Sequence, residues 1–135
     1  MKAIQISEQK VIWKDGINLS EPRADEVQLH VLSAGVNRAD LMQIAGKYPP
    51  PNGVSDIPGL EVCGVIEQVG SQVSDWKTGQ RVSALLAGGG FAERVNVSAK
   101  QLLEVPDDWS HETAAGWLET FGTAYLNVFQ LAGLE

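Results

Sequence analysis

One cysteine and two histidines in 135 residues are too few for several kinds of chemistry. Cys63 has no partner for an intrachain disulfide, and His30 and His111 belong to no ligand-spaced set, so neither a disulfide framework nor a multi-cysteine zinc site is written into the chain. This cysteine usage suits a reducing compartment, and a cytoplasmic location is expected. Basic residues are also scarce, with 10 against 17 acidic side chains and a net charge of −7. General attraction to nucleic acid or to an anionic membrane surface is therefore not expected. No apolar run approaches the roughly 18 residues that a membrane span needs, and Met1 to Ile6 alternates polar and apolar instead of forming a signal core. Spaced glycines between a strand and a helix are missing too. The one glycine run, Gly88-Gly89-Gly90, leads into a strand and reads as a turn rather than a phosphate cradle.

What remains is the composition of one globular domain, 44% hydrophobic and 20% charged. Ile4 and Ile6 share one strand face, Asp15-Gly16 reads as a turn, and Val27, Leu29 and Val31 alternate with Gln28, His30 and Leu32. At Asn37 the pattern changes to helical spacing through Leu41, Met42 and Ala45, stopped by Gly46. Lys47 to Gly53 holds three prolines in a row and must be loop, which places Tyr48 on a stiffened segment. Further strands are expected from Leu60 to Val69, broken at Gly64, from Arg81 to Leu86, from Phe91 to Val97 and from Gln101 to Val105. Seven or so short strands favour a small, partly open barrel. After Ser110, an N-cap, two helical segments follow with a corner near Gly122, the second presenting Phe121, Tyr125, Val128, Phe129 and Ala132.

Three polar residues stand out, each with two readings. The Tyr48 phenol could donate a proton or hydrogen bond to a carbonyl, or simply pack its loop. Asn37 could touch a ligand or cap the helix that starts at Arg38. Thr123 divides in the same way between cap and ligand contact. Asp40 and Glu61 are single carboxylates whose spacing defines no acid and base pair.

Taken in order, Ala34-Gly35-Val36-Asn37-Arg38-Ala39-Asp40, Gly46-Lys47-Tyr48-Pro49-Pro50-Pro51, Pro58-Gly59-Leu60-Glu61, Gly79-Gln80-Arg81-Val82 and Gly122-Thr123-Ala124-Tyr125 resemble the N-terminal domain of medium-chain dehydrogenase/reductases. The resemblance is to the zinc-independent quinone oxidoreductase group and covers nearly the whole chain. In zinc-dependent relatives a cysteine stands at the position of Asn37 and a histidine at that of Leu60; neither residue here can supply such a ligand, so no metal is expected, and Glu61 is read as a structural carboxylate hydrogen-bonded near the cleft.

The resemblance implies a mainly β fold with short helices (α+β), a GroES-like (chaperonin-10-like) partly open barrel over residues 1–135. Residues 110–135 would form a helical connection toward a Rossmann domain that this chain lacks. It implies Tyr48 and Asn37 as catalytic residues, and Asn37, Asp40, Tyr48 and Thr123 as neighbours of the nicotinamide end of NADPH. The implied reaction is hydride transfer from NADPH to a quinone or conjugated enone without zinc. Reduction of 2-enoyl thioesters is the alternative within the family, and a non-catalytic interaction module the alternative outside it. The full-length enzyme is expected to be a homodimer, and this piece a monomer that is inactive alone.

Overall fold

A computed structural model describes residues 1–134. The strands are β1 (Ala3–Ser7), β2 (Lys10–Lys14), β3 (Glu26–Ala34), β4 (Glu61–Val69), β5 (Arg81–Leu85), β6 (Arg94–Ser98) and β7 (Leu102–Glu104). The helices are α1 (Arg38–Ile44), α2 (His111–Ala115) and α3 (Leu118–Tyr125), the last running on into a π-helical segment at Leu126–Leu131. β1 and β2 form a hairpin, while the other five make an antiparallel sheet in the order β6-β3-β4-β5-β7. The sheet does not close, in agreement with the partly open barrel expected from the sequence.

Strand alternation sets the core. Val27 and Leu29 of β3 meet Val62 and Ile66 of β4 and Val82 and Ala84 of β5, all without exposed surface. At about 25 cal/mol per Å² of apolar surface buried, this layer supplies the main driving force for folding. Gly64 lies inside β4 because a Cβ there would stand 2.6 Å from the His30 carbonyl oxygen of the neighbouring strand. The pairing of β3 with β4 is irregular at this point, between Val31 and Ser33.

Three expectations are corrected. The first hairpin turns at Glu8 and Gln9, with φ of 50° and 62°, instead of at Asp15-Gly16. Pairing Ile4 with Trp13 and Ile6 with Val11 puts four apolar side chains on one face, and that pairing overrides the turn preference of the residues between the strands. Second, β6 begins at Arg94, not at Phe91. The three residues before it bind β1 instead: Ile4 N–H donates to the Phe91 carbonyl at 2.8 Å and Glu93 N–H to the Lys2 carbonyl at 3.0 Å. The extended chain thus passes from one sheet to the other at a corner. Third, the break between the C-terminal helices lies at Gly116 and Trp117, and Gly122 is a mid-helix residue with open space around its Cα. Ser110 caps α2 as expected, accepting from Thr113 N–H at 3.1 Å.

Candidate functional site

The corner where β3 gives way to α1 is built around two buried carboxylates. Asn37 is the N-cap residue of α1, and the Asp40 Oδ2 accepts from its backbone N–H at 2.8 Å. Asp40 Oδ1 accepts from Gly59 N–H at 2.9 Å. Both oxygens of this fully buried side chain are therefore committed to backbone donors. Asp40 pins the 58–60 loop to the start of α1 and has no exposed surface of its own.

Glu61, only 2% exposed, opens β4 beneath the same corner. Its Oε1 accepts from the Asn37 side-chain Nδ2 at 2.9 Å, and its Oε2 accepts from Glu119 N–H, in the first turn of α3, at 3.1 Å. Gly35 leaves the room for this: a Cβ there would lie 2.5 Å from Glu61 Oε1 and 2.7 Å from the Ala115 carbonyl oxygen. A buried carboxylate with both oxygens hydrogen-bonded is stable where an unpaired one would be costly. Asn37 is thereby half-buried, with its amide nitrogen turned inward to the carboxylate. It stands at the start of α1 as its N-cap residue and reaches across to β4.

Tyr48 lies at the other end of α1, whose seven residues span about 10 Å. Its side chain is 48% exposed and lines a cleft of about 420 Å³ with Ile6, Gln43, Gly46, Pro49 and Asp56. Gln43 Nε2 donates to the Asp56 carbonyl at 3.2 Å, tying α1 to the far side of that cleft. Thr123 is exposed on α3, one helical turn after Glu119 and so on the same helix face. The structure thus joins Asn37 and Asp40 directly, and connects Asn37 to the helix of Thr123 through Glu61. Tyr48 stands apart at the opposite end of α1.

Glu61 is a structural carboxylate hydrogen-bonded near the cleft, as the sequence led us to expect, but its partners were not legible. Its partners lie 24 and 58 residues away, and no local spacing signals a bond over that distance. Behind the bridge, Ser83 Oγ donates to the Ala114 carbonyl at 2.6 Å and accepts from Trp117 Nε1 at 3.3 Å, while Trp117 packs edge-on against Trp109. Arg81 donates to the Trp109 and Pro106 carbonyls, both at 2.8 Å. These contacts seat α2 and the start of α3 on the sheet. Cys63 is buried there, and loss of solvation pushes its thiol pKa up, which makes it an inert packing residue. Among the described residues no group of three His, Cys, Asp or Glu side chains comes together as a metal site. No described helix is long and apolar enough to cross a membrane.

An open antiparallel sheet with a short helix between β3 and β4 is the architecture of a GroES-like domain. Residues 23–107 match the alcohol dehydrogenase GroES-like domain, and the chain belongs to that family. It is similar to the human synaptic vesicle membrane protein VAT-1 homolog, with 37% identity over 116 residues that cover 84% of this chain and 29% of that protein. Among solved structures, the CurK enoyl reductase superposes with a TM-score of 0.89 at 27% identity, over 99% of this chain and 44% of that one. The Escherichia coli quinone oxidoreductase complexed with NADPH superposes with a TM-score of 0.79 at 28% identity, over 93% of this chain and 40% of that one. These likenesses put the chain among the medium-chain dehydrogenase/reductases, with quinone oxidoreductases and enoyl reductases both among its structural neighbours. It spans 28% to 34% of the length of the first curated relatives it matches.

Proposed function

We propose that this chain is the catalytic-domain part of an NADPH-dependent oxidoreductase that reduces a quinone or conjugated enone without zinc. Residues 1–135 act as one catalytic domain, with residues 110–135 as the helical link to a nucleotide-binding domain. The observation that carries the reading is Tyr48: a half-exposed phenol on a proline-stiffened loop, opening onto a cleft walled by Ile6, Pro49 and Gln43. A donor held this way loses little entropy when it meets a carbonyl oxygen. The similarity to an NADPH-bound quinone oxidoreductase supports the cofactor.

The residues fit the nicotinamide end of that cofactor and no more. Asn37 offers an anchored amide and Thr123 an exposed hydroxyl, while no glycine-rich phosphate loop occurs in the sequence. NADPH, when bound, supplies the hydride. Asn37 and Thr123 orient the ring, Asp40 holds the 58–60 loop against the start of α1, and Tyr48 donates a hydrogen bond to the oxygen that gains negative charge. Asn37 and Leu60 at the positions of the metal ligands in zinc-dependent relatives support the metal-free reading. Soluble cytoplasmic residence, a homodimeric full-length enzyme and a monomeric, inactive isolated piece complete the proposal.

Tyr48→Phe in the full-length enzyme tests it. The expected result is a kcat lowered about 10- to 1,000-fold with a smaller change in cofactor affinity. An unchanged single-turnover hydride-transfer rate, with any loss following the melting temperature, removes Tyr48 as donor. The likeness to the CurK enoyl reductase favours a second reading, reduction of a 2-enoyl thioester. Comparing kcat/KM for a quinone and an enoyl thioester separates the two.

A further inference from the structure

We propose that Asp56 sets the charge of the molecules that the Tyr48 cleft takes, admitting neutral or cationic carbonyl compounds and turning away those with an anionic group beside the carbonyl. Resting on the reading of this cleft as the place where a substrate carbonyl meets Tyr48, the assignment adds which property of the substrate is selected and by which side chain.

The cleft of about 420 Å³ has apolar walls in Ile6, Pro49 and Pro50 and neutral polar ones in Gln5 and Gln43. Among the described residues that line it, Asp56 is the only Asp, Glu, Lys or Arg. Its backbone is held from two sides. Gln43 Nε2 donates to its carbonyl from α1 at 3.2 Å, and Ile57 and Pro58, which follow it, are buried. The carboxyl carbon lies two bonds, about 2.5 Å, from its own Cα in every rotamer, so no side-chain rotation carries the charge away from the rim. The ion pairs among the described residues join Arg23 to Glu26 and Glu67 to His30 and Arg94, and none of them involves Asp56. Lys47, the neighbour of Tyr48 in the chain, is exposed and does not line the cleft.

Apolar walls exclude part of the water that would screen a charge, so an anion a few ångströms from Asp56 is repelled more than it would be in bulk solution. Asp56 is itself exposed, which keeps the effect to about fivefold in affinity per unit of ligand charge. A quinone or enone without ionised substituents meets the requirement, and a 2-oxo acid does not. For an enoyl substrate, the thioester is neutral at its reacting end and enters, whereas the free acid is rejected.

Benzoate, benzamide and benzamidinium test this, because they share a size and shape and differ by one unit of charge at each step. Chemical-shift titration of the 135-residue chain at millimolar probe, followed at Gln43, Gly46 and Tyr48, measures their binding in the cleft. Affinity should rise in that order by about fivefold per step at low salt. The steps should collapse in Asp56→Asn, which is close in size and lies at an exposed position, and should shrink in the native chain at about 0.5 M sodium chloride. In the full-length enzyme, the ratio of kcat/KM for 1,4-naphthoquinone to that for its 2-sulfonate should fall about fivefold in Asp56→Asn, a comparison in which the intrinsic reactivities of the two quinones cancel. Equal affinities for the three probes, no shift at those residues with any of them, or steps that survive Asp56→Asn overturn the proposal. The underlying reading fails separately: a charge order that disappears in Asp56→Asn, together with an unchanged hydride-transfer rate in Tyr48→Phe, leaves the charge selection standing and removes Tyr48 as donor.

Discussion

The five-stranded sheet and the C-terminal helical segment use similar apolar residues with opposite results. In the sheet, Val27, Leu29, Val62, Ile66 and Val82 have no exposed surface. In the segment from α3 onward, Phe121 is 66% exposed and Leu131 71%, with Tyr125, Phe129 and Leu134 exposed as well. Tyr125 and Phe129 touch each other, their ring centroids 5.3 Å apart, but no sheet lies over them. The difference shows that an apolar periodicity reports the need for a partner surface and not its presence in the same domain. α3 is held at its start by the Glu61 contact and by Leu118, which is buried, and beyond that by its own backbone.

The sharpest way to break this comparison is to truncate one residue in each region. Leu29→Ala should cost about 3 kcal/mol, since a buried leucine leaves a cavity that close-packed neighbours fill only partly. Phe121→Ser should change the unfolding free energy by less than about 0.5 kcal/mol, the ordinary effect at an exposed position. Urea titration of both variants checks the pair, and equal losses would mean that the helical segment belongs to the cooperative unit of the sheet.

Between these extremes lies the junction. Gly35→Ala should destabilise by about 2 kcal/mol, because the added methyl overlaps the Glu61 carboxylate and a backbone carbonyl that cannot both retreat. Its distinguishing mark is local. Amide exchange should rise at Glu119 and along α3 more than in β3 and β4, and protection lost uniformly would show that the bridge does not set the seat of α3.

The smallest effect is electrostatic and confined to the sheet side. Arg94 holds the Glu67 carboxyl below its usual range through a hydrogen bond, chiefly, and through its charge; Arg23 does the same for Glu26. A carboxylate with a depressed folded pKa adds stability above its unfolded pKa, near 4.3, and loses that contribution as pH falls through the folded value. Arg94→Gln should therefore weaken the protein slightly at pH 7, since the pair is partly open to solvent, and by less toward pH 2. Thermal unfolding across that range measures it, and a loss that is constant with pH would place the effect in packing.

Much of the sheet was legible because burial on alternate positions is a local pattern, and β3, β4, β5 and α1 fall close to where that pattern puts them. The misplaced features were those decided by pairing at a distance. Asp15-Gly16 has the composition of a turn, yet the hairpin reverses at Glu8 and Gln9 because the cross-strand apolar face requires that register. Gly122 has the composition of a break, yet the helix passes through it, since its beginning is set at Glu119 by a carboxylate from β4. Of the site, Asn37 and Tyr48 could be singled out as polar residues in constrained settings, but neither their separation along α1 nor the bond from Asn37 to Glu61 is contained in any short stretch.

The sequence by itself determined the element types, the metal-poor composition and the acidic charge, because each depends on residue identity and on neighbours within a few positions. Only the tertiary structure decided that Asp40 is buried with both oxygens taken, that Glu61 joins three elements, and that Asn37 is held by its nitrogen. Those outcomes depend on which groups meet across 19 to 58 residues of chain, where the cost of leaving a buried polar atom unpaired selects the arrangement.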